Sequence, residues 1–518
     1  MPAPTPIAGR PPANKWVVTI SVTFGTLMGT IDASIVNVAL PHIRGSVGAT
    51  LEEITWVITG FVVATVLVMP LTAFLGRFFG QKRVYLVSLV LFVIGSMLCG
   101  TARSLPELVT FRALQGLGAG ALQPTEQAIL RQTFPPEEQG MAMALFGMAV
   151  MIGPAVGPTL GGFIVDNYSW PWIFYVNLPV GLLGLFMVSR FVHEPEDVRQ
   201  AFREQAAAQR KNLDWQGIAL MCVGLGGLQY VLEEGQRYDW FDSSTITATS
   251  LVAAFALAAF AVRELTAPVP AVNLRLFKDK VFLSGTLIGA VMFAMLMANM
   301  FLLPVFMQTL LGFTALQSGV ALMPRVLVMM VFTPVVGRLY NRLSPRAVVG
   351  VGIVAFAIGA WQMSHFTAAT GMGQIVGAIM IQGVGFSCLF VPLTTVALAT
   401  IERARLTDAT GLNSLFRQIG GSVGLAVFAT LLVRYSAAAR VGLVPHLSAT
   451  NPRIAARLAR PGGLAALQGL VEQQAAVLAF EKLFLLSGIA FLCVLPLLYL
   501  LRSDRHGAAR RPGPLLEH

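Results

Sequence analysis

Residues 29–41 read GTIDASIVNVALP, and one acidic side chain, Asp32, stands inside this otherwise apolar segment. The surrounding run from Trp16 to Leu40 is long enough to cross a bilayer, whose hydrocarbon core needs about 20 apolar residues per helix. A carboxylate at that depth costs about 2.5–3.5 kcal/mol on insertion scales. A buried partner would account for it, and so would a site that takes up protons or cations. We favour the second interpretation because several further charges stand in similar segments.

The composition is that of a membrane protein. The chain has 518 residues, of which 55% are hydrophobic and only 12% are charged, and its mean hydropathy is +0.71. A soluble domain carries about 25% charged residues. The net charge of +11 would suggest a nucleic-acid partner in a soluble protein. Here most of the charge falls between apolar segments, where it reports topology, so no nucleic-acid partner is expected.

Fourteen apolar segments of spanning length can be placed along the chain. They lie near residues 16–41, 52–74, 83–101, 106–130, 139–164, 171–192, 214–233, 244–263, 281–311, 315–337, 346–366, 373–400, 407–435 and 475–501. If the N-terminus is cytoplasmic, the inward loops carry most of the lysines and arginines, and the short outward loops hold little beyond Arg44, Arg103 and Arg237. This asymmetry follows the positive-inside rule and predicts that both termini are cytoplasmic.

Two similar basic turns suggest a repeated half. One turn, after the second segment, contains Gly80, Lys82 and Arg83, and the other, after the tenth, contains Gly337, Arg338 and Arg342. Any short inward loop tends to be basic, but matching positions within two six-helix halves favour a repeat. The predicted regions are a disordered tail (1–15), an N-terminal half (16–192), a linker with two additional spans (193–280), a C-terminal half (281–501) with a long outward loop near 436–474, and a cytoplasmic tail (502–518) ending like a tag remnant.

Arg112 and Glu126 stand in the fourth segment. Helix rise places Asp32 about 24 Å above the inner end of its helix and Arg112 about 9 Å below the outer end of its own, so their depths match and they could pair. Protonation of Asp32 would then release Arg112. Glu126 is either a second acidic group on a cavity wall or a residue that extends to the interface near Arg131. In the second half, Arg325, Arg417 and Glu481 also fall within segments, and intramembrane charges commonly mark transport pathways.

The fifth segment carries small residues on one face together with two prolines. Glycines four residues apart allow a neighbouring helix to come close, and prolines remove backbone hydrogen bonds and bend the helix. Packing alone is one interpretation, and a hinge between the halves is the one we favour. The residues concerned are Gly153, Pro154, Gly157, Pro158, Gly161 and Gly162.

Enzyme and cofactor sites are not indicated. Residues 420–424 match GxSxG but lie inside an apolar segment rather than on a strand-to-helix turn. No GxxxxGK[ST] phosphate loop is present. The four cysteines are isolated and the six histidines form no metal cluster. We therefore expect no metal, no cofactor and no enzymatic activity.

In combination, these motifs resemble the fourteen-helix drug:proton antiporters of the major facilitator superfamily, and the EmrB/QacA type in particular. The resemblance rests on residues 32–41, 112–120, 153–162 and 172–181, with further similarity at 228–232, 239–241 and 392–395. It implies two six-helix halves with two extra helices between them. It also implies proton handling by Asp32 and Arg112, antiport through Gly153 and Pro154, and, for EmrB-type pumps, a periplasmic adaptor and an outer-membrane channel.

The first inward turn departs from the family pattern. Arg77 and Phe78 stand where the family usually has an Asp and an Arg, and Asn341 stands at the echoed Asp position. The usual charge lock between the halves is therefore not predicted from this turn.

The sequence predicts a proton-coupled exporter of hydrophobic drugs or toxic compounds in the inner membrane, in contact with lipids and driven by the proton gradient. Two alternatives stay open: a dedicated exporter of one metabolite, such as a siderophore or antibiotic, and a protein that handles a lipid-like molecule. A membrane enzyme is disfavoured because the nucleophile and metal patterns are missing.

Overall fold

The structure, a computed structural model, describes residues 14–194, 214–267, 270–339, 343–402, 405–447, 452–459 and 461–500. The predicted tails, most of the linker before residue 214, and Arg342 lie outside these ranges. The helices in order are α1 Lys15–Val47, α2 Leu51–Ile54, α3 Trp56–Val68, α4 Thr72–Phe79, α5 Gln81–Thr101, α6 Leu105–Thr133, α7 Gln139–Asn167, α8 Trp172–Tyr175, α9 Asn177–Phe191, α10 Trp215–Glu234, α11 Ser244–Thr266, α12 Lys280–Thr309, α13 Ala315–Leu339, α14 Pro345–Met363, α15 Met372–Ala397, α16 Leu406–Leu443, α17 Pro452–Leu458 and α18 Gly463–Leu492.

The first helix shows how local signals set the limits of a span. Asn14 caps the start of α1 by accepting a hydrogen bond from the Trp16 amide at 3.0 Å. Gly48 ends the helix with a φ of 65° and donates its N–H to the Arg44 carbonyl. The 33 residues between them would be about 50 Å long, which exceeds a hydrocarbon core of about 30 Å. The helix therefore tilts or projects from the membrane.

The described helices agree with fourteen spans. Twelve helical stretches are long and apolar enough to cross a membrane, and α3 and α4 form one more span bent by 57°. The remaining span is α6, which is less apolar than the other spans because it carries Arg112, Gln115, Glu126 and Arg131. All four of these side chains are buried against other helices, so the polarity of α6 faces the protein and not the lipid.

The helices form two groups, and close contacts between small residues hold neighbouring helices together within a group. In the first group, α7 packs along α1, and in the second, α16 packs along α12. A Cβ atom added to Gly420 or Gly424 of α16 would lie 2.3 or 2.2 Å from the carbonyl oxygens of Ala290 or Ala294. Backbone approach this close requires glycine. The rejected GxSxG match at 420–424 is therefore a helix-packing motif.

The prediction of a long outward loop near residues 436–474 is wrong for most of that range, which is helical. Helix α16 continues to Leu443 and α18 already begins at Gly463, with the short α17 between them. The stretch 436–442 contains several alanines and no proline, so nothing in it stops a helix. The two helices therefore extend beyond the predicted spans, at the ends that the sequence predicts to face outward.

Helix α10, the first of the two extra helices, contacts both groups. Glu234 accepts hydrogen bonds from Thr55 and Thr59, at 3.1 and 3.0 Å, beside α3 of the first group. The adjacent Glu233 accepts one from Ser422 of α16 at 3.4 Å. Helix α10 thus bridges the two groups through neighbouring carboxylates.

A salt bridge joins the other ends of the two extra helices. Asp214 caps α10 and accepts from Arg263 of α11, with the Arg263 Nε 3.1 Å from Oδ1. Burial raises the pKa of Asp214, but the hydrogen bonds from Arg263 and the Gly217 amide outweigh burial and keep this pKa below its ordinary value. Asp214 is therefore ionised at neutral pH and keeps α10 and α11 together.

Candidate functional site

Asp32 and Arg112 form a buried ion pair at the centre of the first helix group. Asp32 is completely buried, and its Oδ2 accepts a hydrogen bond from Arg112 Nη1 at 2.5 Å. Its Oδ1 accepts two more, from Gln115 at 2.9 Å and Asn177 at 2.8 Å. Both carboxylate oxygens are therefore satisfied by donors from α6 and α9. The structure brings together the two residues whose depths were predicted to match.

The Arg112 side chain has a fixed position. Its Nε donates to the Val57 carbonyl at 3.2 Å and its Nη1 also donates to Gln115 Oε1 at 2.7 Å. The guanidinium carbon lies 4.0 Å from the centre of the Phe61 ring, a cation–π contact that offsets part of its desolvation. Removal of one partner of such a buried pair costs about 3–5 kcal/mol because the other charge is left uncompensated. Loss of either charge would therefore destabilise this part of the first helix group.

Two residues of this network were missed by sequence reasoning. Gln115 follows Arg112 by three positions on the same helix, a spacing that places both side chains on one face. Asn177 is the one amide in an apolar stretch at the start of α9, and it also donates to Ser96 at 3.0 Å. Both signals were available in the sequence. Neither residue carries a charge, however, so neither stands out in an apolar segment as Asp32 and Arg112 do.

Glu126 is a second buried acid in the same group. It is completely buried, and its Oε1 accepts a hydrogen bond from Thr23 of α1 at 3.0 Å. Its Oε2 has no hydrogen-bond partner among the described residues. The alternative in which Glu126 extends to the interface beside Arg131 is wrong, since Arg131 donates to the Leu398 carbonyl at 2.7 Å. Thr23 precedes Asp32 by nine residues, so Glu126 lies about 14 Å nearer the N-terminal end of α1.

The second group holds a related network with less charge. Arg325 of α13 donates from Nη2 to Gln382 Oε1 at 2.7 Å, and Gln382 lies 3.5 Å from Asn299. Asn299, on the first helix of its group, has a place similar to that of Asp32. The Arg325 Nε atom has no partner among the described residues. Of these two networks, only the one in the first group therefore contains a carboxylate.

The two remaining predicted charges differ from each other in their surroundings. Arg417 is 3% exposed and donates to Ser414 at 3.2 Å. Glu481 is partly exposed on α18 and makes no hydrogen bond or ion pair with the described residues. Its neighbour Lys482 is exposed, 5.7 Å from the Tyr435 ring centre. The structure thus does not bring Glu481 to the Asp32 network, and its coupling role stays a prediction.

The glycine face of α7 packs on α1 and not across the two groups. Added Cβ atoms at Gly153, Gly157 and Gly161 would lie 2.3, 2.6 and 2.8 Å from Thr30, Ser34 and Ile35 respectively. The neighbouring prolines, Pro154 and Pro158, lie within the continuous helix, and Pro154 lines a small cavity shared with α13 of the other group. Helix α7 therefore connects the helix that carries Asp32 to the opposite group. A hinge at these residues remains a prediction.

We expect Gly153→Ala to destabilise the protein by about 1–3 kcal/mol, because the new methyl group would overlap Thr30 at a tight helix contact. Gly162→Ala is the matched control on the same helix, since nothing lies within 4 Å of its added Cβ atom. Thermal unfolding of both purified variants measures the difference. Equal stabilities would show that α1 and α7 do not pack as described.

The inward turn contains an ion pair between the two groups. Arg77 Nη1 donates to Asp408 Oδ1 at 2.8 Å, with both side chains less than a tenth exposed. Gln81 donates to Thr407 at 2.6 Å beside it. The absence of the family's usual residues was expected to leave this turn without a charge lock. The structure corrects that expectation, because Arg77 finds its carboxylate on α16.

The other described residues of the two predicted basic turns lie near the same contact between the two groups. Gly80 has a φ of 86°, and Lys82 donates its amide to Glu194 Oε1 at 2.7 Å, while Arg83 is exposed. In the second turn, an added Cβ at Gly337 would lie 3.0 Å from the Gly140 carbonyl of α7. Arg338 is exposed. The two groups therefore meet closely at the face predicted to be cytoplasmic.

Comparison with known proteins identifies the family. The family model for the Major Facilitator Superfamily matches residues 22–425. The chain is 34% identical to the fatty acid resistance protein FarB of Neisseria gonorrhoeae, over 95% of this chain and 97% of FarB. It is 32% identical to the multidrug export protein EmrB of Escherichia coli K12, over 94% and 95%.

The fold comparison agrees with the sequence comparison. The proton:xylose symporter XylE has a TM-score of 0.61 at 13% identity, covering 92% of this chain and 94% of XylE. Among the described residues, no group of three or more His, Cys, Asp or Glu side chains is arranged to hold a metal. The chain therefore belongs to the major facilitator superfamily and is a multi-pass inner-membrane transporter rather than an enzyme.

Proposed function

We propose that this protein exports hydrophobic drugs or other toxic compounds in exchange for protons, by alternating access. The observation that carries the proposal is the completely buried Asp32–Arg112 pair. A buried carboxylate that holds a cation through charge changes its interactions when it takes up a proton. Its relatives include a multidrug export protein and a fatty acid resistance protein, which is consistent with export.

The mechanism begins with protonation of Asp32 from the outward side. Loss of the negative charge weakens the contact with Arg112, so α1 is released from α6. Because α7 packs on α1 at Gly153 and touches α13 of the other group, a shift of α1 is passed across the interface. The membrane potential supplies about 2.3 kcal/mol per elementary charge per 100 mV. Glu126 is positioned for a second step, further inward.

No cofactor is needed for this cycle, since the proton gradient is the energy source. Both termini are proposed to face the cytoplasm. The long α16 and α18 then extend on the periplasmic side, where an adaptor protein that leads to an outer-membrane channel would dock. Protease added to intact and to opened spheroplasts tests the orientation: a tag on the C-terminus should be cut only in opened ones.

Export by purified protein in vesicles tests the function directly. With an imposed pH gradient, wild-type vesicles should accumulate or lose a hydrophobic dye in the direction set by the gradient. Collapse of the gradient with an ionophore should stop the flux. Dye flux that is the same with and without the pH gradient would show that the protein transports the dye without coupling to protons.

A lipid-like substrate is the second candidate, favoured by the name of FarB. A panel of unrelated drugs and of fatty acids, offered as competitors of dye efflux, separates the two. Competition by fatty acids alone would indicate a dedicated exporter.

A further inference from the structure

Arg417 is a buried cation without a counter-charge. It lies on α16, is 3% exposed, and donates to Ser414 Oγ from Nη2. Its buried Nη1 has no hydrogen-bond partner, and no carboxylate of the described residues forms an ion pair with it. A charge in the protein interior is costly unless it is paired. An unpaired donor on such a group therefore calls for a partner that comes from elsewhere.

Three aromatic rings surround this guanidinium. Its central carbon lies 5.6 Å from the ring centre of Phe146, 5.3 Å from Phe293 and 5.7 Å from Phe390. Cation–π attraction offsets part of the desolvation but leaves the charge in place. Phe146 belongs to α7 of the first group, whereas the other two belong to α12 and α15 of the second. The ring of phenylalanines thus lies at the interface that alternating access must open and close.

A small apolar cavity lies between α7, α12 and α13, and the first two of these helices also carry Phe146 and Phe293. Met151 follows Phe146 by five residues and Leu296 follows Phe293 by three, which is about 8 and 5 Å of helix. Both line a small cavity together with Arg325, whose Nε is also unpartnered. The cavity lining contains no acidic residue. The cavity and the surroundings of Arg417 therefore combine apolar side chains with two buried arginines.

The cavity is closed in this structure. Its free space is about 20 Å³, which is room for about one water molecule. A substrate enters only when α7 separates from α12 and α13. In this closed state the rings of Phe146, Phe293 and Phe390 lie against Arg417.

We propose that Arg417 binds the carboxylate of a hydrophobic acid while the three phenylalanines pack against its apolar body. The planar guanidinium matches a carboxylate with two parallel hydrogen bonds, and such charge-assisted bonds are strong where water is excluded. This proposal rests on the export function and narrows its substrates to organic anions.

A matched pair of ligands tests the proposal on full-length protein in lipid nanodiscs. Naphthaleneacetate and naphthaleneacetamide have nearly the same shape, but only the first is charged at neutral pH, because carboxylic acids have a pKa of about 4. We expect wild type to bind the acid at least about tenfold more tightly than the amide. Arg417→Gln should abolish that preference, and Arg417→Lys should retain part of it.

Control measurements separate this site from other sources of anion binding. Arg434→Gln removes an exposed arginine from the same helix and should keep the full preference. Equal binding of the acid and the amide by wild type, or an unchanged preference in Arg417→Gln, would overturn the proposal. Complete displacement of the acid by chloride at physiological concentration would also overturn it, by showing a site for inorganic anions.

The failure of this site and the failure of the export function are distinguishable. Gradient-driven efflux of a neutral dye with no acid preference would reject the site and keep the exporter. An acid preference that depends on Arg417, without any gradient-driven efflux, would reject the exporter and keep the site.

Discussion

Asp32→Asn is expected to reduce proton-driven efflux to the level of protein-free vesicles. The amide cannot take up or release the proton, and it leaves Arg112 buried without its counter-charge. Loss of a buried partner costs about 3–5 kcal/mol, so the variant should also unfold at a lower temperature. Efflux in vesicles with an imposed pH gradient measures the first effect, and thermal unfolding of the purified protein measures the second.

Two further variants separate loss of coupling from loss of folding. Asp166→Asn changes an exposed aspartate near the end of α7 and should keep both efflux and stability. The double variant Asp32→Asn with Arg112→Gln removes both charges, so it should recover stability without recovering efflux. Wild-type efflux in the single variant would remove Asp32 from the mechanism. Recovery of efflux in the double variant would show that the charge pair is structural.

The sequence was sufficient to predict what depends on helix geometry. Helix rise alone matched the depths of Asp32 and Arg112, and apolar length located each span. The hydropathy of α6 was misleading on its own, because its polar side chains face neighbouring helices. The sequence analysis still assigned residues 106–130 as a span from the length of the segment.

Contacts between distant segments could not be predicted in the same way. The rings around Arg417 come from three helices that no spacing rule connects, and Asp408 follows Arg77 by 331 residues. Asp408 is also the second residue of its predicted span, 407–435. At such a position a carboxylate is ordinarily expected to be exposed to solvent. Its burial depends on how the two helix groups meet, which is a property of the tertiary structure.

Asp408→Asn is expected to open the face where Arg77 now holds the two groups together. Since removal of one partner from a buried pair costs at least about 3 kcal/mol, the open population should rise by roughly 100-fold or more. Thr407, now 2% exposed, reports on this opening when it is replaced by cysteine in a variant that lacks the native cysteines. Its labelling rate with a membrane-impermeant maleimide, added to inside-out vesicles, is the measurement.

The matched control for this opening is Glu402→Gln. Glu402 lies six residues before Asp408, and its pair with Arg405 is mostly exposed, with side chains 74% and 56% accessible. Exposed pairs contribute about 0–1 kcal/mol, so this control should not change the labelling rate by more than a few-fold. The exchange of charges in Arg77→Asp with Asp408→Arg should slow labelling again, because an ion pair is restored in reversed order. If Asp408→Asn labels no faster than Glu402→Gln, the pair does not hold the two groups together, and closure of that face depends instead on the packing of α7 against Gly337.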